Sequence, residues 1–250
     1  HDKNVSQEAL NVLNAFCDAI LSVPTAKRAS VFSDKVCEHF LGLALDGVVE
    51  GSNCSPFLMF LARIFCNAHT TVAKYEQEQV FTKQTLKFVQ EKGMIDILWE
   101  TVKRVLGSEN EETIVGYCFD VLKNLLLVIL SSFGHFNSLV KQLWSLLAAN
   151  VSLRKQLFEF LAPLLCGKTQ QSIWDTELFV VTEALPGLDV AAFGQCEWSF
   201  FEALFCDINQ REGHLSGPWV LHDPNEIELV GMNTFWRIAL EACDEDVASL

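Results

Sequence analysis

The chain has 250 residues, 50% of them hydrophobic and only 20% charged, with a mean hydropathy of +0.23. That length can bury a substantial core, as one large domain or one elongated array. Acidic residues outnumber basic ones 32 to 18, for a net charge of −14, which argues against broad nucleic-acid binding and supplies no polybasic segment for an anionic membrane. No uncharged run reaches the ~18 to 20 residues of a membrane span. The nearest, Val121 to Phe136, is interrupted by Lys123, Asn124, Gly134 and His135 and reads as a helix buried between neighbours. The partners expected are therefore proteins, basic ones among them, with no nucleic acid and no membrane.

Helical periodicity runs through almost the whole chain. Residues 5–22 place Val5, Leu10, Leu13, Phe16, Cys17, Ile20 and Leu21 on one stripe, and Pro24 closes it. Thr25 is a cap for the next helix, expected over 25–45, and 46–56 reads as a loop. Ser55-Pro56 starts a helix that is apolar on most sides and so expected to be central. Short helices follow at 85–90 and 94–106, closed by Gly93 and Gly107. Ser108 and Glu111 have capping-box spacing for a long helix through Leu130. Further helices are expected at 137–149, 152–165 with Pro163 near its end, 170–184 closed by Pro186-Gly187, and 188–207. Residues 210–230 hold two Gly, two Pro, Ser and Asn and read as an irregular loop or insert. Last, Phe235, Trp236, Ile238, Ala239, Leu240 and Ala242 give a helix with a wide buried face.

The total is about eleven helices and no convincing strand. Helices of this length with short connectors suit either a bundle or a solenoid. Successive helices pair off at roughly the 40 to 47 residues of an armadillo or HEAT repeat. The fold class expected is all-α, an armadillo/HEAT-like α-solenoid over residues 1–250. The acidic turn Asp244-Glu245-Asp246, followed by Val247, Ala248 and Leu250, reads as the start of a further helix, which makes the chain a segment of something longer.

Catalytic chemistry is sparse. Cys66 and His69 lie three apart on one helix face, but thiol enzymes draw nucleophile and base from separate elements beside an oxyanion hole. Cys37 and His39 are two apart on a helix and face different ways. Cys196, Cys206, His214 and His222 have no close Cys-x2–4-Cys knuckle, so no zinc site is expected. Glu109 to Glu112 form a carboxylate run in a first helical turn, where they complement the helix dipole. Neither GxGxxG nor GxxxxGK[ST] occurs. No catalytic residue, cofactor or metal is expected.

The 9 Cys are an odd number and sit mostly among apolar neighbours, a usage that suits a reducing compartment. No positively charged start leads into an apolar stretch, so no secretory leader is expected, and the location predicted is intracellular, cytoplasmic or nuclear. From Asp223 to Leu250 seven acidic residues face Arg237 alone. The residues expected to meet a partner are Trp219 in the irregular segment, together with Asp223, Glu226, Asp244, Glu245 and Asp246.

Phe235-Trp236, Ile238-Ala239-Leu240, Asp244-Glu245-Asp246 and Val247-Ala248 together form a pattern. It resembles a helix-pair signature in the non-catalytic regions of very large ubiquitin-specific proteases. The resemblance covers about 20 residues, with the upstream helices compatible but less diagnostic. It implies an armadillo-like scaffold within a deubiquitinase, serving substrate recruitment, placement of the catalytic domain or regulation, with ubiquitin-pathway proteins and the remainder of the parent chain as partners. No Asn-Thr-Cys and no Gly-His-Tyr occurs, so the Cys and His boxes of those enzymes are not in this segment. The alternatives are an intracellular HEAT or armadillo adaptor unrelated to ubiquitin and a helical thiol enzyme using Cys66 and His69.

Overall fold

A computed structural model describes residues 2–22, 35–50, 54–72, 83–129, 134–166, 171–217, 220–221 and 229–242. The fold is all-α, with eleven α-helices among the described residues. The chain divides into two compact units, His1–Leu125 and Leu126–Leu250.

In the first unit, α1 (Asp2–Ser22) follows its predicted stripe, with Leu13 and Cys17 fully buried. α2 (Lys35–Glu50) packs on α3 (Ser55–Val72), and α1 touches both. The Phe16 and Phe40 rings stack at 3.9 Å between centroids, joining α1 to α2. Arg63 on α3 donates to Asp18 on α1 at 2.9 Å. α3 is central as expected: Phe57, Leu58, Phe60, Leu61, Ala62, Ile64 and Phe65 are all buried.

Residues 46–50, expected to be loop, are the last turn of α2. Two contacts hold that turn. Arg104 donates to the Val48 and Val49 carbonyls at 2.8 and 3.1 Å, a cation on a helix C-terminus. Gly47 lies against Phe57 so closely that a Cβ there would sit 2.5 Å from the ring, so α2 meets α3 only because that residue is glycine. α4 (Lys83–Glu91) and α2 both pack on α5 (Met94–Val105). Between α4 and α5, Gly93 takes the left-handed conformation at φ +60°.

α6 (Glu111–Ile129) starts later than the capping-box spacing predicts. Glu111 is its first residue, and the carboxylate accepts from the Gly107 N–H at 2.6 Å. Val115, Cys118, Val121, Leu122, Leu125 and Leu126 are fully buried along it.

In the second unit, α7 (Phe136–Leu147) packs on α8 (Val151–Leu165), whose N-cap Asn150 accepts from the Ser152 and Leu153 N–H groups. Pro163 lies inside α8, which runs on to Leu165. Trp144 of α7, Phe158 of α8 and Phe200 of α10 (Gln195–Arg211) stack in sequence, with centroids 5.5 and 4.7 Å apart. α9 (Gln171–Phe179) packs on α7, α8 and α10 and continues into a π-helical turn at Val180–Ala184 and a 3₁₀ turn at Leu185–Gly187.

The helix expected over 188–207 begins seven residues late. Asp189 instead caps a 3₁₀ turn at Val190–Ala192, and Gly194 is extended before α10. The buried pair Arg154–Glu197, 3.5 Å apart, explains the break. Arg154 also donates to the Ala192 carbonyl at 3.2 Å, while Glu197 accepts from the Gly194 N–H at 3.2 Å, so both charges are spent on the connection.

Within 210–230, where no strand was expected, Leu215–Gly217 (β1) and Val220–Leu221 (β2) form a short antiparallel ribbon. Leu215 is buried and holds β1 against α10. The last described element is α11 (Met232–Glu241).

Candidate functional site

α11 is held by the turn before it. Asn209, fully buried on α10, donates to the Val230 carbonyl at 3.0 Å and accepts from the Val230 N–H at 2.8 Å. Its amide also donates to the Phe205 carbonyl at 2.8 Å, so one side chain satisfies three backbone groups. Gly231 follows at φ +84°, and a Cβ there would meet Val181 at 2.4 Å. The helix then seats Phe235 beside Trp198 and Phe205, at 6.0 and 6.1 Å between centroids. Thr234 and Ile238 are buried, with the Thr234 hydroxyl donating to the Val181 carbonyl at 3.5 Å.

The wide buried face predicted for α11 is therefore narrower. Trp236 is 51% exposed and Leu240 is 81% exposed, one helical turn apart on the same outer ridge. The sequence pattern counts both as apolar and cannot see that α10 and the 3₁₀ turns receive only the opposite side.

Beside that ridge lies a cleft of about 610 Å³, between the π turn and α11. Val181, Thr182 and Pro186 form one wall, Leu229 to Met232 the floor, and Asn233, Trp236 and Arg237 the other wall. Arg237 is committed locally, donating to the Pro186 carbonyl at 2.6 Å and lying 3.5 Å from Glu241. The lining offers an indole face, aliphatic side chains and a few hydroxyl and amide groups, a composition suited to binding. It brings no nucleophile and base together.

The six residues expected to meet a partner, Trp219, Asp223, Glu226, Asp244, Glu245 and Asp246, all lie outside the described residues, as do Val247, Ala248 and Leu250. Cys66 and His69 fall on α3, but their side chains are likewise outside the description, as is that of Cys37. His39 is exposed on α2 beside the Phe40 ring. Cys196 and Cys206 belong to α10, His214 follows that helix, and His222 lies outside the described residues. Among the described residues, no three or more His, Cys, Asp or Glu side chains cluster as metal ligands would.

Four of the described thiols are held protonated. Burial raises Cys17, Cys118, Cys166 and Cys196 above the ordinary thiol range, Cys166 to about 12 with Asp207 and Glu177 adding to the effect. These are packing cysteines and poor nucleophiles. No described helix is long and apolar enough to cross a membrane. No protein-family model, curated protein or solved structure matches the chain.

Proposed function

We propose that this chain is a non-catalytic helical scaffold, and that its second unit docks a basic, apolar-anchored segment of a partner protein in the cleft beside Trp236. The observation that carries this reading is the outer ridge of α11, where Trp236 and Leu240 stand exposed and Trp236 lines a ready-formed cleft. Trp is enriched among the residues that anchor protein interfaces, because it buries a large area for little lost side-chain freedom.

The charge of the partner follows from the surroundings. The second unit holds 16 acidic residues against 6 basic ones, so most of the chain's net negative charge is on it. Arg154, Lys155, Arg211 and Arg237 each already face an acidic group, whereas Glu183, Asp189 and Glu212 are exposed. A basic segment gains steering and affinity here that an acidic one does not.

Two narrower parts of the reading rest on the sequence. The packing of α1 on α2 and α7 on α8 supports armadillo- or HEAT-like pairing. The pattern from Phe235 to Ala248 supports membership in the non-catalytic region of a large ubiquitin-specific protease. Under that reading the docked segment belongs to a substrate or regulator, and a Cys-box and His-box domain is encoded elsewhere in the parent chain. Their absence from the parent gene would remove the protease assignment and leave the scaffold.

The docking test places a photo-crosslinking residue at position 236 and, as a control, at the exposed Val151. A partner captured from 236 and not from 151 is then purified and titrated against the chain. Trp236→Ala is expected to weaken its binding about 30-fold, roughly 2 kcal/mol, and raised salt to weaken it further. Binding that ignores both changes, or capture from neither position, would refute the reading.

A further inference from the structure

One cluster of charge in the second unit lies outside the cleft lining, at the end of α10. Glu177 of α9 is completely buried, and its Oε2 accepts from Nη2 of Arg211 at the end of α10. Asp207, one turn back on α10, lies 3.3 Å from that same nitrogen. Two carboxylates therefore converge on one guanidinium nitrogen. The guanidinium is itself stacked 4.6 Å from the Trp174 ring, so its position is fixed. The second carboxylate oxygen of Glu177, Oε1, is buried with no hydrogen-bond donor, and so is the neighbouring Thr176 hydroxyl.

We propose that Glu177, Asp207 and Arg211 form a proton-operated clasp between α9 and α10, which takes up one proton on Glu177 and releases it again. With all three groups ionised the cluster carries a net charge of −1, Glu177 fully buried and Asp207 and Arg211 partly so, and one oxygen of the buried carboxylate has no hydrogen-bond partner. Both are unfavourable. A proton on Glu177 removes them together: the cluster becomes neutral, the lone oxygen acquires a hydrogen, and Arg211 remains shared with Asp207. The adjacent Thr176 hydroxyl is a polar group on the same turn with no partner of its own.

Arg211 and Asp207 are the charges that act on Glu177, and Arg154 and Lys155 of α8 face Glu197 and Glu159 instead. On α9, Asp175 is exposed. Cys166, at the end of α8, is a thiol held protonated. Lys141 of α7 lies over the Phe179 ring at 4.7 Å. Glu183 of the π turn and Asp189 beyond it are exposed. Burial is the larger influence on Glu177 and outweighs Arg211, which pulls the other way, so the carboxyl is raised from 4.5 to about 7.

The clasp reaches the cleft through the backbone. α9 continues from Glu177 into Val181 and Thr182 of the cleft wall, and Arg211 lies two residues beyond Asn209, which holds Val230 of the floor. Protonation therefore acts where one wall and the floor are rooted. π-helical turns are often found at functional sites.

The native state binds this proton more tightly than the unfolded chain, whose glutamate titrates near 4.5. The proton's stabilisation is therefore complete below about pH 4.5 and is lost as pH rises through about 7. Thermal unfolding of the wild-type chain and of Glu177→Gln, followed from pH 5 to 8, tests this. The wild type is expected to lose midpoint temperature relative to the variant across that range. A gap between the two curves that does not change with pH would overturn the proposal. A second measurement needs no variant: the side-chain carboxyl ¹³C resonance of Glu177 in the wild-type chain is expected to titrate near pH 7, and a midpoint at or below 4.5 refutes the clasp. Neither readout involves a partner, so the docking reading can fail without the clasp, and the clasp without it.

Discussion

Gly231 and Asn209 show how much of the candidate site depends on single side chains. Any Cβ at position 231 meets Val181 at 2.4 Å and must also adopt φ +84°, where side chains are disfavoured. Gly231→Ala is expected to destabilise the second unit by about 2 to 4 kcal/mol, from overpacking plus backbone strain. Urea unfolding measures this, and a loss under about 0.5 kcal/mol would mean that the turn moves aside. Asn209→Ala removes the buried partner of both polar groups of Val230. The cost expected is about 2 to 3 kcal/mol, with the amide signals of residues 229–232 shifted more than those of α7. Neither position stands out in the sequence. Asn209 reads as an ordinary polar residue near a helix end, and its role exists only because the chain returns to it 21 residues later.

At the scale of elements, the informative departure is between α9 and α10. Periodicity counts Leu188, Val190 and Phe193 as helical, and each residue is compatible with helix taken singly. The buried Arg154–Glu197 pair holds the connection open instead, binding the Ala192 carbonyl and the Gly194 N–H. Arg154→Met should cost about 3 to 5 kcal/mol, because it leaves Glu197 charged and buried. The double variant Arg154→Met with Glu197→Gln is expected to recover a large part of that loss, and a double-mutant cycle measures it. Additive losses would mean that the two side chains act independently. Where tertiary charges do not intervene, boundaries were legible: α1, α5, α7, α8 and α11 all lie within a few residues of their predicted spans. Their caps and glycines are local, as with Asn150 before α8 and Gly93 and Gly107 around α5.

For the whole molecule, the charge balance has a consequence of its own. With 32 acidic against 18 basic residues, the folded state holds like charges closer together than the unfolded chain does. Raising salt from ~0.01 M to ~0.15 M shortens the screening length from about 30 to 8 Å. The thermal midpoint is therefore expected to rise with salt at pH 7.5. A fall would show that the surface ion pairs, such as Lys155–Glu159 and Arg237–Glu241, outweigh the general repulsion.

The sequence by itself determined the helical class, the positions of most helices and the acidic character. These depend on residue type and on periods of three to four positions, which the linear chain carries in full. Tertiary structure decided which apolar residues stay outside. Trp236 and Leu240 belong to the same apolar series as Ile238, yet only Ile238 is enclosed, because α10 and the 3₁₀ turns approach α11 from one side. Tertiary structure also decided that Glu177, unremarkable within QSIWDTELF, would be buried against an arginine 34 residues away. Burial and convergence of charge depend on which distant segments meet, and a local pattern carries no record of that.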